Sequence, residues 1–107
     1  MQLPAAIDAY FTADKGSDAD ALVASFEPDA VVRDEGAEHV GRAEILAWRL
    51  DAKAKYPGVV SVPMQQVVNG DRIVVSCQVS GDFPNSPVML DFAFTLANDR
   101  ISLLEIH

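Results

Sequence analysis

The feature that most constrains this chain is a change in the spacing of its apolar residues near Pro57-Gly58. Before this pair, apolar side chains recur every three or four residues; after it, they alternate with polar side chains. The first spacing is that of an amphipathic helix and the second is that of a strand with one buried face. The sequence therefore predicts an α+β fold in which helices come first and antiparallel strands follow.

The N-terminal part is predicted to form three helices. The first ends at Lys15-Gly16. The second begins near Ser17, which with Asp20 resembles a capping box, and it ends at Pro28. The third follows Gly41 and stops before Pro57-Gly58. We expect all three to cover one face of a sheet.

The strands are predicted from alternation and from turn residues. A short strand at residues 30–35 places Ala30, Val32 and Asp34 on one face, and His39 follows it in a loop. Turn signals at Asn69-Gly70 and Asn98-Asp99 separate the later strands. These later strands should form an antiparallel meander at residues 59–68, 73–79, 88–96 and 101–107. A bent sheet of this kind, wrapped round helices, leaves a cone with an open mouth where a pocket can form.

Composition narrows the classes of function. The 107 residues suffice for one domain, residues 1–107, and carry 16 acidic against 8 basic side chains. A net charge of −8 argues against binding to nucleic acid or to an anionic membrane. A single cysteine, Cys77, excludes an intrachain disulfide, and we expect no metal and no other cofactor. Neither a signal-peptide pattern nor a membrane-spanning run is present, so a cytoplasmic location is expected.

The strand at residues 88–96 contains the sharpest candidate for a functional residue. Asp91 lies within an otherwise apolar run, and carboxylates are seldom buried without a partner or a task. If Asp91 faces the pocket, then Met89 and Ala93 line the pocket beside it, and alternation turns Phe92 and Phe94 outward. Two exposed phenylalanines would form an apolar patch, so we expect a homodimer that pairs through the sheet.

The order of these segments resembles a known superfamily. A first helix with Tyr10 is followed by Pro28-Asp29-Ala30-Val31-Val32, then by Asp34, and then by Gly41-Arg42-Ala43-Glu44-Ile45. This order is similar to the nuclear transport factor 2-like superfamily, in particular its SnoaL-like and ketosteroid isomerase-like branches, along nearly the whole chain. The resemblance implies a cone-shaped, barrel-like bent antiparallel sheet with three N-terminal helices on its concave face. Members of the superfamily often dimerise through the sheet.

The resemblance also implies a set of catalytic residues. In the ketosteroid isomerases, the positions of Tyr10, Asp34 and Asp91 hold an oxyanion-binding tyrosine, an aspartate base and a protonated aspartic acid. Trp48 and Arg49 are predicted to line the pocket on the third helix, where the isomerases have a tyrosine. Because a cation there would favour ionised carboxylates, Arg49 would weaken Asp91 as a hydrogen-bond donor. Specificity for steroids is not carried over.

The sequence thus predicts a pocket for a small hydrophobic carbonyl compound. If the protein is an acid–base catalyst, the reaction would be an isomerisation, cyclisation or dehydration that begins with proton abstraction beside the carbonyl. The alternative is a non-catalytic ligand-binding or dimerisation module of the same fold. Tyr10 would then be a core aromatic residue and Asp34 a turn residue at a strand end. His39 is either a solvated histidine or a proton shuttle, and Arg49 binds either a ligand carboxylate or Asp34.

Overall fold

The computed structural model describes residues 1–107 and confirms the α+β class. Its three helices are α1 (Ala5–Lys15), α2 (Ala19–Ala24) and α3 (Gly41–Lys55). Its six strands are β1 (Phe26–Asp34), β2 (Ala37–Val40), β3 (Val60–Asn69), β4 (Arg72–Ser80), β5 (Val88–Ala97) and β6 (Arg100–Ile106). No helix is both long enough and apolar enough to cross a membrane.

The six strands form one curled, unclosed sheet in the order β2-β1-β6-β5-β4-β3. Neighbouring strands are antiparallel except β1 and β6, which run parallel. The last four strands agree with the predicted meander to within a residue at each end. The turn at Asn98-Asp99 is confirmed, with positive φ at both residues. The earlier turn falls on Gly70-Asp71, one residue later than predicted.

An aromatic cluster joins α1 to the concave face of the sheet. The Tyr10 ring packs edge-on against Phe94 and Phe26, with ring centroids 5.5 and 5.9 Å apart. Phe11 lies against Phe92 and Phe94 at centroid distances of 5.6 and 5.8 Å. Edge-to-face pairs stabilise a core beyond the effect of burial alone. The cluster therefore fixes the position of Tyr10.

Strand β5 faces the opposite way from the prediction. Phe92 and Phe94 are buried in the core, whereas Met89 and Asp91 are exposed on the convex face. Alternation establishes only that Asp91 and the phenylalanines lie on opposite faces; it does not say which face is buried. Burying two phenylalanine rings is favourable and burying an unpaired carboxylate is costly, so the rings occupy the core.

The boundary between α2 and β1 also differs from the prediction. Asp18, and not Ser17, caps α2: its Oδ1 accepts a hydrogen bond of 3.0 Å from the Ala21 N–H. Pro28 does not end a helix but lies inside β1. The pairing of β1 with β6 is irregular between Phe26 and Val31, and a proline is tolerated where regular pairing is interrupted.

A short hairpin after β1 was not predicted. Strand β2 pairs with β1 and includes His39, which had been expected in a loop. Glu35 and Gly36 form the two-residue turn, with φ of 52° and 76°. Positive φ at both positions is typical of the tightest hairpin turns. The turn makes Asp34 the last residue of β1, paired with Ala37.

Candidate functional site

A cavity of about 260 Å³ lies between the helices and the concave face of the sheet. Its aromatic walls are Tyr10, Trp48, Tyr56, Phe83 and Phe92, and its polar lining is Asp14, Asp34, Glu35, Arg49 and Ser61. Pockets for drug-sized ligands usually measure about 300–1,000 Å³. This cavity therefore suits a compact ligand. A few polar groups set in apolar walls can fix the orientation of such a ligand.

The cavity brings together four of the predicted site residues, and three lie elsewhere. The four that line it are Tyr10, Asp34, Trp48 and Arg49. The prediction that Met89, Asp91 and Ala93 line the pocket is wrong, because the reversed β5 turns all three to the convex face. There the Ser76 hydroxyl donates a hydrogen bond of 3.0 Å to Asp91 Oδ1.

Asp34 is a half-buried carboxylate that the indole of α3 holds in place. The shared face of Ala30, Val32 and Asp34 is confirmed, since Ala30 and Val32 are both in the core. Trp48 Nε1–H donates to Asp34 Oδ2 at 3.1 Å. Burial raises the pKa of Asp34 above its ordinary value, and the Trp48 hydrogen bond only partly opposes this. The result is a carboxylate of increased basicity with one fixed orientation.

Tyr10 offers a free hydroxyl to the cavity. Tyr10 as a residue is only 3% exposed, and its hydroxyl forms no hydrogen bond within the protein. The only fully enclosed side-chain polar atom without a partner is Gln66 Oε1, so the Tyr10 hydroxyl is not fully enclosed, and Tyr10 lines the cavity. Burial raises the pKa of Tyr10 well above its ordinary value, and the Asp14 charge adds to this. The hydroxyl therefore keeps its proton and can donate it in a hydrogen bond.

Arg49 pairs with Asp14, which sequence reasoning missed. Arg49 Nη2 lies 2.7 Å from Asp14 Oδ1 and donates a further hydrogen bond of 3.3 Å to the Asp14 carbonyl. Both side chains are largely buried. The suggested pairing of Arg49 with Asp34 is thus replaced by a pairing with Asp14. A signal did exist, because Asp14 follows Tyr10 by four residues and shares its face of α1.

Two further contacts of Glu35 lie beside the cavity. The Tyr56 hydroxyl donates to Glu35 Oε1 at 3.1 Å, and Lys55 Nζ lies 3.5 Å from Glu35 Oε2. His39 does not line the main cavity. Its ring lies behind Trp48, 6.3 Å between centroids, in a neighbouring recess that Asp34 also borders. Asp34 therefore borders both the main cavity and this outer recess.

Comparison with protein families identifies the class. Residues 7–103 match the model of the SnoaL-like domain. The chain belongs to the SnoaL-like family, and its cone-shaped sheet agrees with the fold of that family. None of the curated proteins matches the chain.

Solved structures agree with this assignment. A candidate polyketide cyclase of Sinorhizobium meliloti is 47% identical, with a TM-score of 0.94 over 98% of this chain and 95% of its own. A protein of Catenulispora acidiphila with a ketosteroid isomerase-like fold, solved with trimethylamine, is 20% identical, with a TM-score of 0.86 over 99% and 86%. A candidate SnoaL-like cyclase of Jannaschia is 19% identical, with a TM-score of 0.80 over 95% and 81%. The last two show the fold alone.

Proposed function

We propose that the cavity binds a compact carbonyl compound and that Asp34 removes a proton from the carbon beside the carbonyl. One observation carries this proposal: Asp34, basic and fixed by Trp48, shares an apolar cavity with the free hydroxyl of Tyr10. A carboxylate base and a neutral hydrogen-bond donor are the two groups that enolate chemistry requires.

The reaction can be written for a β,γ-unsaturated ketone. Asp34 takes the proton from the α carbon, and the C–H electron pair moves toward the carbonyl oxygen to form a dienolate. The Tyr10 hydroxyl donates a hydrogen bond to that oxygen and stabilises its charge. Asp34 then returns the proton to the γ carbon, so the double bond moves into conjugation. Atoms and charge balance without another reactant.

The same first step could serve a cyclisation. An enolate formed by Asp34 can attack a second carbonyl of the same molecule, with the oxygen again held by Tyr10. The relative from Sinorhizobium meliloti, which is described as a candidate polyketide cyclase, supports this version of the proposal. Asp91 has no part in either version, since it lies on the convex face.

The test uses cyclohex-3-en-1-one, whose isomerisation to the conjugated enone is followed by ultraviolet absorbance. Asp34→Asn should lower the rate by about 10²–10⁴-fold, because the amide cannot act as a base. Asp91→Asn is the matched control and should leave the rate unchanged. Equal rates for the wild type and Asp34→Asn would rule out the base assignment.

The second part of the proposal is a homodimer that pairs through the convex face. Such a dimer would support the alternative to catalysis, namely a binding or dimerisation module. Cross-strand pairing aligns Val67, Val74 and Ala93 in one row and Val62, Gln78 and Met89 in another. Val67 and Met89 remain 60% and 58% exposed, so these rows carry uncovered apolar side chains on a face that also bears Gln78 and Asp91. The patch is therefore not the one first expected, which would have consisted of Phe92 and Phe94.

Sedimentation distinguishes a dimer from a monomer of 11.5 kDa. Val67→Lys should shift a dimer toward monomer and leave the cavity intact, because Val67 lies on the face opposite the cavity. A clean monomer of the wild type at micromolar concentration would contradict the dimer.

A further inference from the structure

Arg49 has hydrogen-bond donors that the protein does not use. A guanidinium carries five N–H donors, and both contacts of Arg49 to Asp14 come from Nη2. Neither Nε nor Nη1 has a protein acceptor, and neither is fully enclosed. Arg49 lines the cavity and also a smaller neighbouring recess, and we take its unused donors to be within reach of a molecule bound in the cavity.

The surroundings of Arg49 make these donors strong. Its side chain is only 12% exposed, and a charge removed from water interacts strongly with an opposite charge that reaches it. Asp14 contacts only Nη2 of Arg49, so it does not occupy the donors on Nε and Nη1. A ligand oxyanion would interact with the Arg49 guanidinium in place of the water that burial has removed from it.

We propose that Arg49 binds an acidic oxygen of the ligand, so that the cavity selects carbonyl compounds that carry or develop an oxyanion. The proposal rests on the proposed function and deepens it. Asp34 takes the proton, while Arg49 and the Tyr10 hydroxyl hold the oxygen on which the negative charge appears. Arg49 would thereby supply the hydrogen bond to the oxyanion that the resemblance assigned to Asp91.

The charges lining the cavity are compatible with an anion once Asp34 holds the proton. Asp14 is offset by Arg49, and Glu35 by Lys55. Asp34 is the remaining acidic group, and it is neutral after it accepts the proton. The bound enolate then faces the Arg49–Asp14 pair and one neutral donor, while Asp34 no longer opposes it as a charged carboxylate.

The first experiment compares two probes of one skeleton. Cyclohexane-1,3-dione ionises to a stable enolate near neutral pH, whereas its methyl enol ether, 3-methoxycyclohex-2-en-1-one, cannot ionise. Trp48 is the only tryptophan and lines the cavity, so its fluorescence reports binding. The enolate should bind at least about tenfold more tightly, as expected of a charge-assisted hydrogen bond. Equal affinities, or no binding of either probe, would overturn the proposal.

The second experiment separates ligand binding from a purely structural role of the ion pair. Asp14→Asn breaks the pair but leaves the guanidinium free, so the preference for the enolate should be kept or increased. Asp14→Asn with Arg49→Gln should weaken enolate binding by about 10–100-fold relative to Asp14→Asn, with ether binding unchanged. The double variant is used because Arg49→Gln alone would leave Asp14 buried without a partner. Loss of the preference already in Asp14→Asn would overturn the proposal.

The two proposals can fail separately. Binding of the enolate does not require turnover, so an enolate preference that depends on Arg49 is measurable even if Asp34→Asn leaves isomerisation unchanged. Conversely, isomerisation that depends on Asp34 without any enolate preference would retain the base and remove Arg49 from its role.

Discussion

Replacing Phe94 with alanine tests the orientation of β5, on which the whole site depends. Phe94 has no exposed surface and packs against Tyr10, Phe11 and Phe92 at centroid distances of 5.5–6.4 Å. Truncating a core phenylalanine costs about 3–5 kcal/mol, and loss of three ring contacts places this site near the upper end. A small domain is stable by about 5–15 kcal/mol, so the variant should lose a large fraction of its stability.

Urea denaturation followed by circular dichroism measures this cost. With a slope near 2 kcal/mol per molar urea, the unfolding midpoint should fall by about 2 M. Met89→Ala, on the same strand but 58% exposed, is the matched control and should change the stability of the monomer by no more than about 0.5 kcal/mol. Repeating the denaturation of both variants at two protein concentrations separates an effect on dimerisation from an effect on the stability of the monomer. A Met89 variant that loses as much stability as the Phe94 variant would refute the assigned orientation.

Three further outcomes follow from the structure. Tyr10→Phe should slow isomerisation by about 10²-fold, which is less than the largest loss expected for Asp34→Asn. Measuring the isomerisation rates of both variants tests this order. Burial raises the folded-state pKa of Asp34, so the contribution of Asp34 to stability is present at acid pH and is lost as pH rises through that pKa. Asp34→Asn should therefore raise the melting temperature above that of the wild type, and the increase should be larger at neutral pH than at acid pH. Burial raises the pKa of Cys77 to about 12, so iodoacetamide should alkylate this thiol only after the protein is unfolded in urea; rapid alkylation of the native protein would contradict its burial.

The position of Asp34 could be predicted because local patterns determine it. Ala30 and Val32 are apolar, alternate with Val31 and Arg33, and lead directly to Asp34, so one face of β1 is defined by the sequence itself. The structure places Ala30 and Val32 in the core with 1% and 0% exposure. Local alternation is sufficient where only one of the two faces is apolar enough to be buried.

The position of Asp91 could not be predicted in the same way, because β5 is apolar on both faces. Met89 and Ala93 accompany Asp91 on one face, while Phe92 and Phe94 occupy the other. The choice depends on what α1 brings to the sheet, namely the rings of Tyr10 and Phe11. Comparing the volume of the apolar groups on the two faces would have favoured burial of the phenylalanines.

Strand β2 and the Arg49–Asp14 pair were missed for different reasons. Residues 37–40 are mostly exposed and show no alternation, so β2 exists because it pairs with β1. The ion pair joins α1 to α3, and contacts between elements far apart in the chain are not contained in any local pattern. The expected cytoplasmic location and the expected absence of a cofactor stay predictions from the sequence.

The carboxyl ¹³C chemical shift of Asp34 tests the central claim most directly, since that claim requires Asp34 to be protonated while the cavity holds the enolate. Protein labelled with ¹³C in its aspartates is titrated with cyclohexane-1,3-dione at mildly alkaline pH, where the free dione is already the enolate and Asp34 must take up its proton from solvent; Asp34→Asn assigns the signal. We predict that the Asp34 signal moves to the position of a carboxylic acid when the dione binds, and that it does not do so with the methyl enol ether. An Asp34 signal that stays at the carboxylate position with the dione bound would contradict Asp34 as the base.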